Sequence, residues 1–290
     1  MPDGSPIVTA LQRWFKDNGR PLPWRDSDAW GVLVSEVMLQ QTPVARVLPA
    51  WHAWMSRWPT PPGLARASVA DALREWGRLG YPRRAARLHA TAVVITHEHA
   101  GAVPDTEVAL RSLPGVGEYT AAAVMAFAHG RRAVVLDTNV RRVLARTIEG
   151  AAQQSDHITD AERDRAASLW PAEDRASARW SAAVMEFGAV VCTARSPACG
   201  VCPIQGRCAW FAAGRPPAAS GPRRQPAYAG SDREARGRIL AAVRASTTGV
   251  PGTTLARAWP DHEQRQRALA SLVADGLVTR LPGGRYALPG

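Results

Sequence analysis

Apolar residues recur every three to four positions through most of the chain up to about Ala213. The spacing predicts helices over Ile7–Phe15, Trp30–Leu39, Val44–Trp58, Val69–Trp76, Ala85–Thr96, Val108–Leu113, Ala121–Ala128, Val140–Ile148 and Ala178–Val191, because side chains three and four apart share one helical face. Proline and glycine punctuate these runs at Trp58-Pro59-Thr60-Pro61-Pro62-Gly63, Gly80-Tyr81-Pro82, Gly101–Pro104 and Gly130. No stretch alternates apolar and polar residues as a half-buried strand would. The pattern therefore predicts an all-α region.

Beyond it the pattern changes. Ala212–Gly230 is rich in Pro, Gly and Arg and reads as a flexible linker. Helical spacing returns in Asp232–Ala245, Thr253–Trp259 and Asp261–Asp275. Leu277–Leu281 and Arg285–Leu288 then flank Pro282-Gly283-Gly284 as a β-hairpin. Three helices and a hairpin predict a small winged-helix-like α+β module at residues 231–290. There is no internal repeat. No apolar run approaches the ~18 residues of a membrane span, and the N-terminus lacks a basic segment followed by an apolar one. A cytoplasmic protein without membrane contact is expected.

The length, 290 residues, accommodates about two domains. A net charge of +11 favours a polyanionic partner. Lys16 is the single lysine and the other basic residues are arginines, a bias that GC-rich coding would also produce.

All four cysteines, Cys192, Cys199, Cys202 and Cys208, lie in CTARSPACGVCPIQGRC with the spacing C-x6-C-x2-C-x5-C. Four thiolates in one tight loop suit a [4Fe–4S] cluster. Spacing alone leaves zinc and structural thiols or disulfides open. Arg195 and Arg207 would let such a loop face a phosphate.

Three further stretches carry chemistry. In Leu113-Pro114-Gly115-Val116-Gly117, between two helical runs, the glycines permit a tight turn and close approach, and the next helix presents its first N–H groups to an anion. An ordinary helix–helix turn has the same composition. Asp137, in Leu136-Asp137-Thr138-Asn139, caps a helix or stands at a site at its mouth. Glu36 sits in the apolar run Trp30–Leu39, where desolvation favours the protonated form that a general acid needs. Gln40 and Gln41 follow with amides suited to base edges.

Taken together, Arg20-Pro21-Leu22-Pro23-Trp24-Arg25, SEVMLQQT, LGYPRRAARL, LPGVGEYTA, LDTNVRRVLAR and the four-cysteine loop resemble the helix–hairpin–helix DNA glycosylase superfamily that includes endonuclease III, most closely its adenine DNA glycosylase (MutY) branch. The resemblance runs from about Trp14 to Trp210. It implies a two-lobed all-α fold. Residues 26–130 would form a six-helix barrel with the helix–hairpin–helix. Residues 1–25 and 131–211 would form an iron–sulfur lobe, followed by the linker 212–230. Double-stranded DNA carrying a mismatched adenine is the implied partner, bound by a monomer, with the adenine flipped into a pocket between the lobes.

The resemblance also assigns roles. Glu36 matches the general acid and Asp137 the carboxylate that stabilises the sugar cation, with Asn139 and Tyr119 positioning them. Arg20, Leu22, Trp24 and Arg25 match the adenine pocket. Gln40, Gln41, Thr42, Leu79, Tyr81, Gly115 and Gly117 match the contacts to DNA and the opposite base. Cys192, Cys199, Cys202 and Cys208 match the ligands of a [4Fe–4S] cluster. Strand-cleaving relatives carry a lysine where Tyr119 stands, so base release without strong strand cleavage is implied. The chain departs from the pattern in its short tail, in Pro82, and in Trp180-Ser181-Ala182, which lacks an amide or acid. These departures leave the preference among 8-oxoguanine, guanine and cytosine opposite adenine open. A thymine glycosylase for T·G mismatches and a silent DNA-binding protein with a redox cluster are the competing readings.

Overall fold

The computed structural model describes residues 5–218 and 227–290. Part of the expected linker, 219–226, lies outside them. The helices in chain order are α1 (Pro6–Asn18), α2 (Ala29–Leu39), α3 (Val44–Arg57), α4 (Pro61–Ala65), α5 (Val69–Trp76), α6 (Arg83–Glu98), α7 (Glu107–Ser112), α8 (Glu118–Phe127), α9 (Thr138–Leu144), α10 (Asp160–Leu169), α11 (Asp174–Val190), α12 (Ala209–Ala212), α13 (Asp232–Arg244), α14 (Gly252–Ala258) and α15 (His262–Ala274). Every helix expected from periodicity is present. A π-helical turn, Ala145–Glu149, continues α9. No helix among the described residues is long and apolar enough to cross a membrane.

Three helices were not legible in the apolar pattern: α4, α10 and the single turn α12. In α4, Pro61 and Pro62 read as breakers, but a proline in the first turn has no N–H to lose, and Thr60 caps the turn by accepting from Gly63 N. The α10 sequence, DAERDRAASL, is mostly polar, and only Ala166 and Glu162 are buried in it.

The chain forms two compact units. The first comprises Met1–Leu33, Asp105–Arg111 and Val116–Pro222. Its core joins Val8 and Leu11 of α1, Val140, Val143 and Leu144 of α9, and Trp180, Val184 and Phe187 of α11, with Trp170 and Ile204. Trp14 meets Phe187 edge-on at 5.4 Å, and Trp170 meets Trp180 at 5.9 Å, geometries that aromatic quadrupoles favour. Helix α8, placed with the barrel in the expected division, groups with this unit.

The second unit comprises Val34–Pro104, Ser112–Gly115 and Arg223–Gly290. Trp54 lies between Trp58 (4.7 Å) and Trp76 (5.7 Å), and Leu64, Leu73, Leu88 and Ile95 are fully buried in the same unit. The C-terminal module packs in this unit. Strands β1 (Val250–Pro251), β2 (Thr279–Leu281) and β3 (Arg285–Ala287) form an antiparallel sheet in the order β1-β3-β2. The expected hairpin is β2–β3, and β1 is an addition too short to show alternation. Asp275 pairs with Arg83 of α6 and, at 2.5 Å, with Arg236 of α13, and Arg244 donates to the Gly77 carbonyl.

Candidate active site

Asp137 is the N-cap of α9, its Oδ1 accepting from Val140 N at 2.7 Å. The cap alone would account for an aspartate here, but its other oxygen is also engaged. Asn139 Nδ2 donates to Asp137 Oδ2 at 2.7 Å, and Arg142 Nη2 donates to Asn139 Oδ1 at 2.8 Å. The network fixes which way the Asn139 amide faces. Arg142 continues it, donating to Gly188 O at 2.7 Å and through Nε to Cys192 O at 2.9 Å. A chain of hydrogen bonds thus runs from the first cysteine to Asp137. Burial raises the Asp137 carboxyl above its ordinary range, against the pull of the Val140 N–H, the Asn139 amide and the Arg142 charge.

Gly188 permits this packing. A Cβ there would stand 2.8 Å from Asn139 O and 2.8 Å from Asn139 Cβ, so any side chain would push α9 away from α11. The sequence signal is a glycine inside an otherwise helical apolar run, which costs helix propensity unless close packing requires it. Tyr119, in the first turn of α8, packs on the cluster of Ala123, Ala126 and Val135, two residues before Asp137.

Leu22 leads into a 3-10 turn, Pro23–Arg25, with Trp24 buried. Arg20 and Arg25 converge on Glu186, which is 3 % exposed. Arg20 binds it with Nε at 2.6 Å, Nη2 at 2.8 Å and its backbone N at 3.1 Å, and Arg25 Nη2 adds a bond at 2.9 Å. Arg25 also donates to the Arg20 carbonyl and lies over the Phe15 ring. Glu186 was not foreseen, because its partners are more than 160 positions away in sequence. Burial alone would raise its pKa. The Arg20 hydrogen bonds and both guanidinium charges outweigh burial and hold it below the usual range.

Glu186→Gln keeps the shape and removes the charge, and is expected to cost about 1.5–3 kcal/mol, the range for hydrogen bonds to charged groups. A lowered pKa contributes stability above the unfolded value near ~4.3, lost as pH falls through the folded value. The melting temperatures of the two proteins should therefore converge in acid, which thermal melts across pH will check.

Trp180 and Ser181, in the stretch that departs from the family pattern by lacking an acid or amide, are fully buried. Trp170 Nε1 donates to Ser181 Oγ at 2.8 Å, so this stretch serves the core.

Glu36 lies in α2 and is 5 % exposed, between Leu33 and Val34 on one side and Val37 and Met38 on the other, all buried. The same helix runs into Gln40, Gln41 and Thr42. Thr42 and Leu79 are buried, whereas Tyr81 is 53 % exposed. In the hairpin between α7 and α8, Gly115 has φ +79°, and an added Cβ would lie 2.9 Å from Arg87 Cδ. Thr91 Oγ1 anchors the turn on Pro114 O at 2.7 Å. Gly117 is the N-cap of α8 and makes no side-chain cap bond.

The four cysteines are free, half-buried and line one concavity with Phe187, Ile204, Trp210 and Arg146. Among the described residues no group of three or more Cys, His, Asp or Glu is placed to hold a single metal ion. The donor set instead fits a cluster: four thiols, apolar walls, and a buried cation. Arg146 is 2 % exposed and donates to Cys192 Sγ at 3.4 Å, Thr193 O at 2.7 Å and Ala194 O at 3.0 Å. N–H groups on cluster sulfurs are among the means by which proteins tune such centres. Burial, then the neighbouring cysteines, pushes the Cys202 thiol up to about 11. Cys202→Ser is expected to lose most of the bound iron and to melt at lower temperature, read by iron analysis and thermal denaturation. Arg195 and Arg207 are exposed on the loop.

Comparison with known proteins adds the following. Residues 34–169 match the family described as HhH-GPD superfamily base excision DNA repair protein. Residues 192–208 match the iron-sulfur binding domain of endonuclease III. The chain is 51% identical over 285 residues to an adenine DNA glycosylase of Mycobacterium tuberculosis, covering 97% of this chain and 93% of that protein. It is 50% identical to one of Mycolicibacterium smegmatis, covering 97% and 95%. Among solved structures, a thermostable thymine-DNA glycosylase superimposes with a TM-score of 0.64 at 26% identity, over 71% of this chain and 95% of that one.

Proposed function

The chain belongs to the helix–hairpin–helix base-excision repair superfamily, in its adenine DNA glycosylase branch, and from that membership we infer that it removes adenine from DNA. The relation to adenine DNA glycosylases over nearly the whole chain carries the choice of base. The likeness to thymine-DNA glycosylases has lower identity and covers a smaller part of the chain.

In our reading Glu36 protonates the flipped adenine at N7. The N-glycosidic bond then breaks with its electron pair leaving on the base, and positive charge develops on the sugar. The Asp137 carboxylate stabilises that charge. Glu36, now a carboxylate, takes a proton from the water that attacks C1′. Asn139 holds Asp137, Tyr119 flanks it, and Arg20 and Arg25, locked by Glu186, line the adenine pocket with Leu22 and Trp24. Gly115, Gly117 and the exposed arginines of the cysteine loop bear on the phosphates, and Gln40, Gln41, Thr42, Leu79 and Tyr81 on the opposite base, an 8-oxoguanine or guanine. Cys192, Cys199, Cys202 and Cys208 hold the [4Fe–4S] cluster, whose contribution here is to fold the loop and anchor the Arg142 network.

The enzyme acts as a monomer and leaves the abasic strand intact. Tyr119 occupies the position of the strand-cleaving lysine, and Lys16, in α1, is the only lysine.

Duplexes with adenine opposite 8-oxoguanine, guanine or cytosine, and thymine opposite guanine, test this. Adenine release with strand breakage only after alkali is expected. Thymine release without adenine release overturns the substrate, and breakage without alkali overturns the monofunctional reading.

A further inference from the structure

Two residues assigned to the opposite-base contacts have unusual backbones. Gln41 has φ +55° and Tyr81 has φ +48°. Residues other than glycine are uncommon in this region, and for a bulky side chain it is strained. Such conformations persist only where the surroundings over-determine them. One side chain supplies much of that determination.

Arg84, in the first turn of α6, is 6 % exposed. Its Nη1 donates to three carbonyls at the end of α2: Val37 O at 2.9 Å, Met38 O at 2.8 Å and Gln40 O at 2.6 Å. Its Nη2 donates to Thr42 Oγ1 at 2.9 Å and to Gly80 O at 3.1 Å. The guanidinium lies 5.2 Å from the Trp76 ring and 5.5 Å from the Tyr81 ring. Trp76 Nε1 holds the same Gly80 carbonyl at 2.9 Å. Gln41 is thus flanked by two acceptors of Arg84. Tyr81 follows a third and supplies a ring to the cation.

No carboxylate among the described residues pairs with this buried charge. It is balanced by the negative end of the α2 dipole, where the last carbonyls lack helical partners, and by the aromatic faces. A carboxylate partner would suffice merely to neutralise a buried arginine. The planar fork here instead ties two segments together, a geometry a lysine ammonium cannot reproduce.

We propose that Arg84 is a positioning residue for opposite-base discrimination, setting the Gln40–Thr42 turn and the Gly80–Tyr81 turn at a fixed mutual geometry. The inference rests on the assignment of those turns to the opposite base. Discrimination between guanine and cytosine requires both turns to meet one base at once. Looseness between them lets either base be accommodated.

The test compares single-turnover adenine excision opposite guanine and opposite cytosine in wild type, Arg84→Lys, Gln41→Ala and Tyr81→Ala, with thermal melts of each. Arg84→Lys is expected to reduce the guanine-to-cytosine rate ratio about tenfold or more, the loss of a charge-assisted hydrogen bond or two. Gln41→Ala and Tyr81→Ala should reduce it as well. A folded Arg84→Lys protein with an unchanged ratio, beside shifted ratios in the other two, overturns the role of Arg84. A lowered melting temperature with the ratio intact does the same, since that is the signature of a purely structural residue. Unchanged ratios in Gln41→Ala and Tyr81→Ala remove the assignment of the turns, and the inference with it. If Arg84→Lys does not fold, Arg84→Gln, which keeps a planar donor at the same position but not the fork, replaces it and is read the same way.

Discussion

Glu36→Gln is expected to abolish adenine release while duplex binding survives. The amide matches the carboxyl in size, so the buried position in α2 is filled as before. What is lost is the exchangeable proton. Adenine leaves poorly as an anion, and a neutral amide can neither donate a proton to N7 nor take one from water. A positioned acid or base contributes about 10²–10⁴ in rate, and in the proposed mechanism Glu36 serves in both steps, so a fall of about 10³-fold or more is expected. Single-turnover excision with enzyme in excess gives the rate, and a gel-shift titration on the same duplex gives the binding. A variant that excises at a wild-type rate would remove Glu36 from the acid role.

The second large effect is expected at Asp137. Asparagine caps helices about as well as aspartate, so Asp137→Asn keeps the bond from Val140 N and isolates the charge. One local cost remains. Asn139 donates to Asp137 Oδ2 and cannot turn its amide round, because Arg142 holds its oxygen, so two N–H groups would face each other. The rate should fall about 10²–10³-fold, comparable to removing one electrostatic stabiliser of a transition state.

The pH dependence supplies a second check. In its proposed role Asp137 must be ionised to stabilise a cation, so activity is expected to be lost as pH falls through its pKa. Burial sets that pKa above the ordinary ~3.9, and the acid limb of the rate profile should lie correspondingly high and be missing in Asp137→Asn. Stability runs the other way. The folded chain holds this proton more tightly than the unfolded chain, so the contribution favours folding in acid and is lost as pH rises through the folded value. A rate profile and a melting profile on the same samples should therefore slope in opposite directions across that window.

Much of the fold was legible along the chain, because helix positions are set by local spacing and by punctuation. The run Trp30–Leu39 and the break at Gly80-Tyr81-Pro82 appear as helix and turn where expected. The misses follow from the same logic: α10 is too polar to show a stripe, and α4 begins with prolines that are tolerated only in a first turn. The site was legible where a residue type is rare or out of place. Glu36 in an apolar helix, four clustered cysteines and paired glycines before a helix all stood out.

The arginines could not be sorted that way. In a chain with a single lysine and arginines throughout, Arg84, Arg142 and Arg146 carry no local mark. Their functions depend on acceptors brought together from distant segments: Cys192 for Arg142, Thr193 and Ala194 for Arg146, Val37 to Thr42 for Arg84. Glu186 and Gly188 belong with them, one holding two arginines from the N-terminal segment and the other making room for Asn139. Sequence by itself determined most of the helices, the clustering of the four cysteines and the residue types available for chemistry, since these follow from spacing and side-chain identity. Only the tertiary structure decided which charges are buried and paired and which remain on the surface for a phosphate, because a guanidinium's role is set by the acceptors within about 3 Å of it.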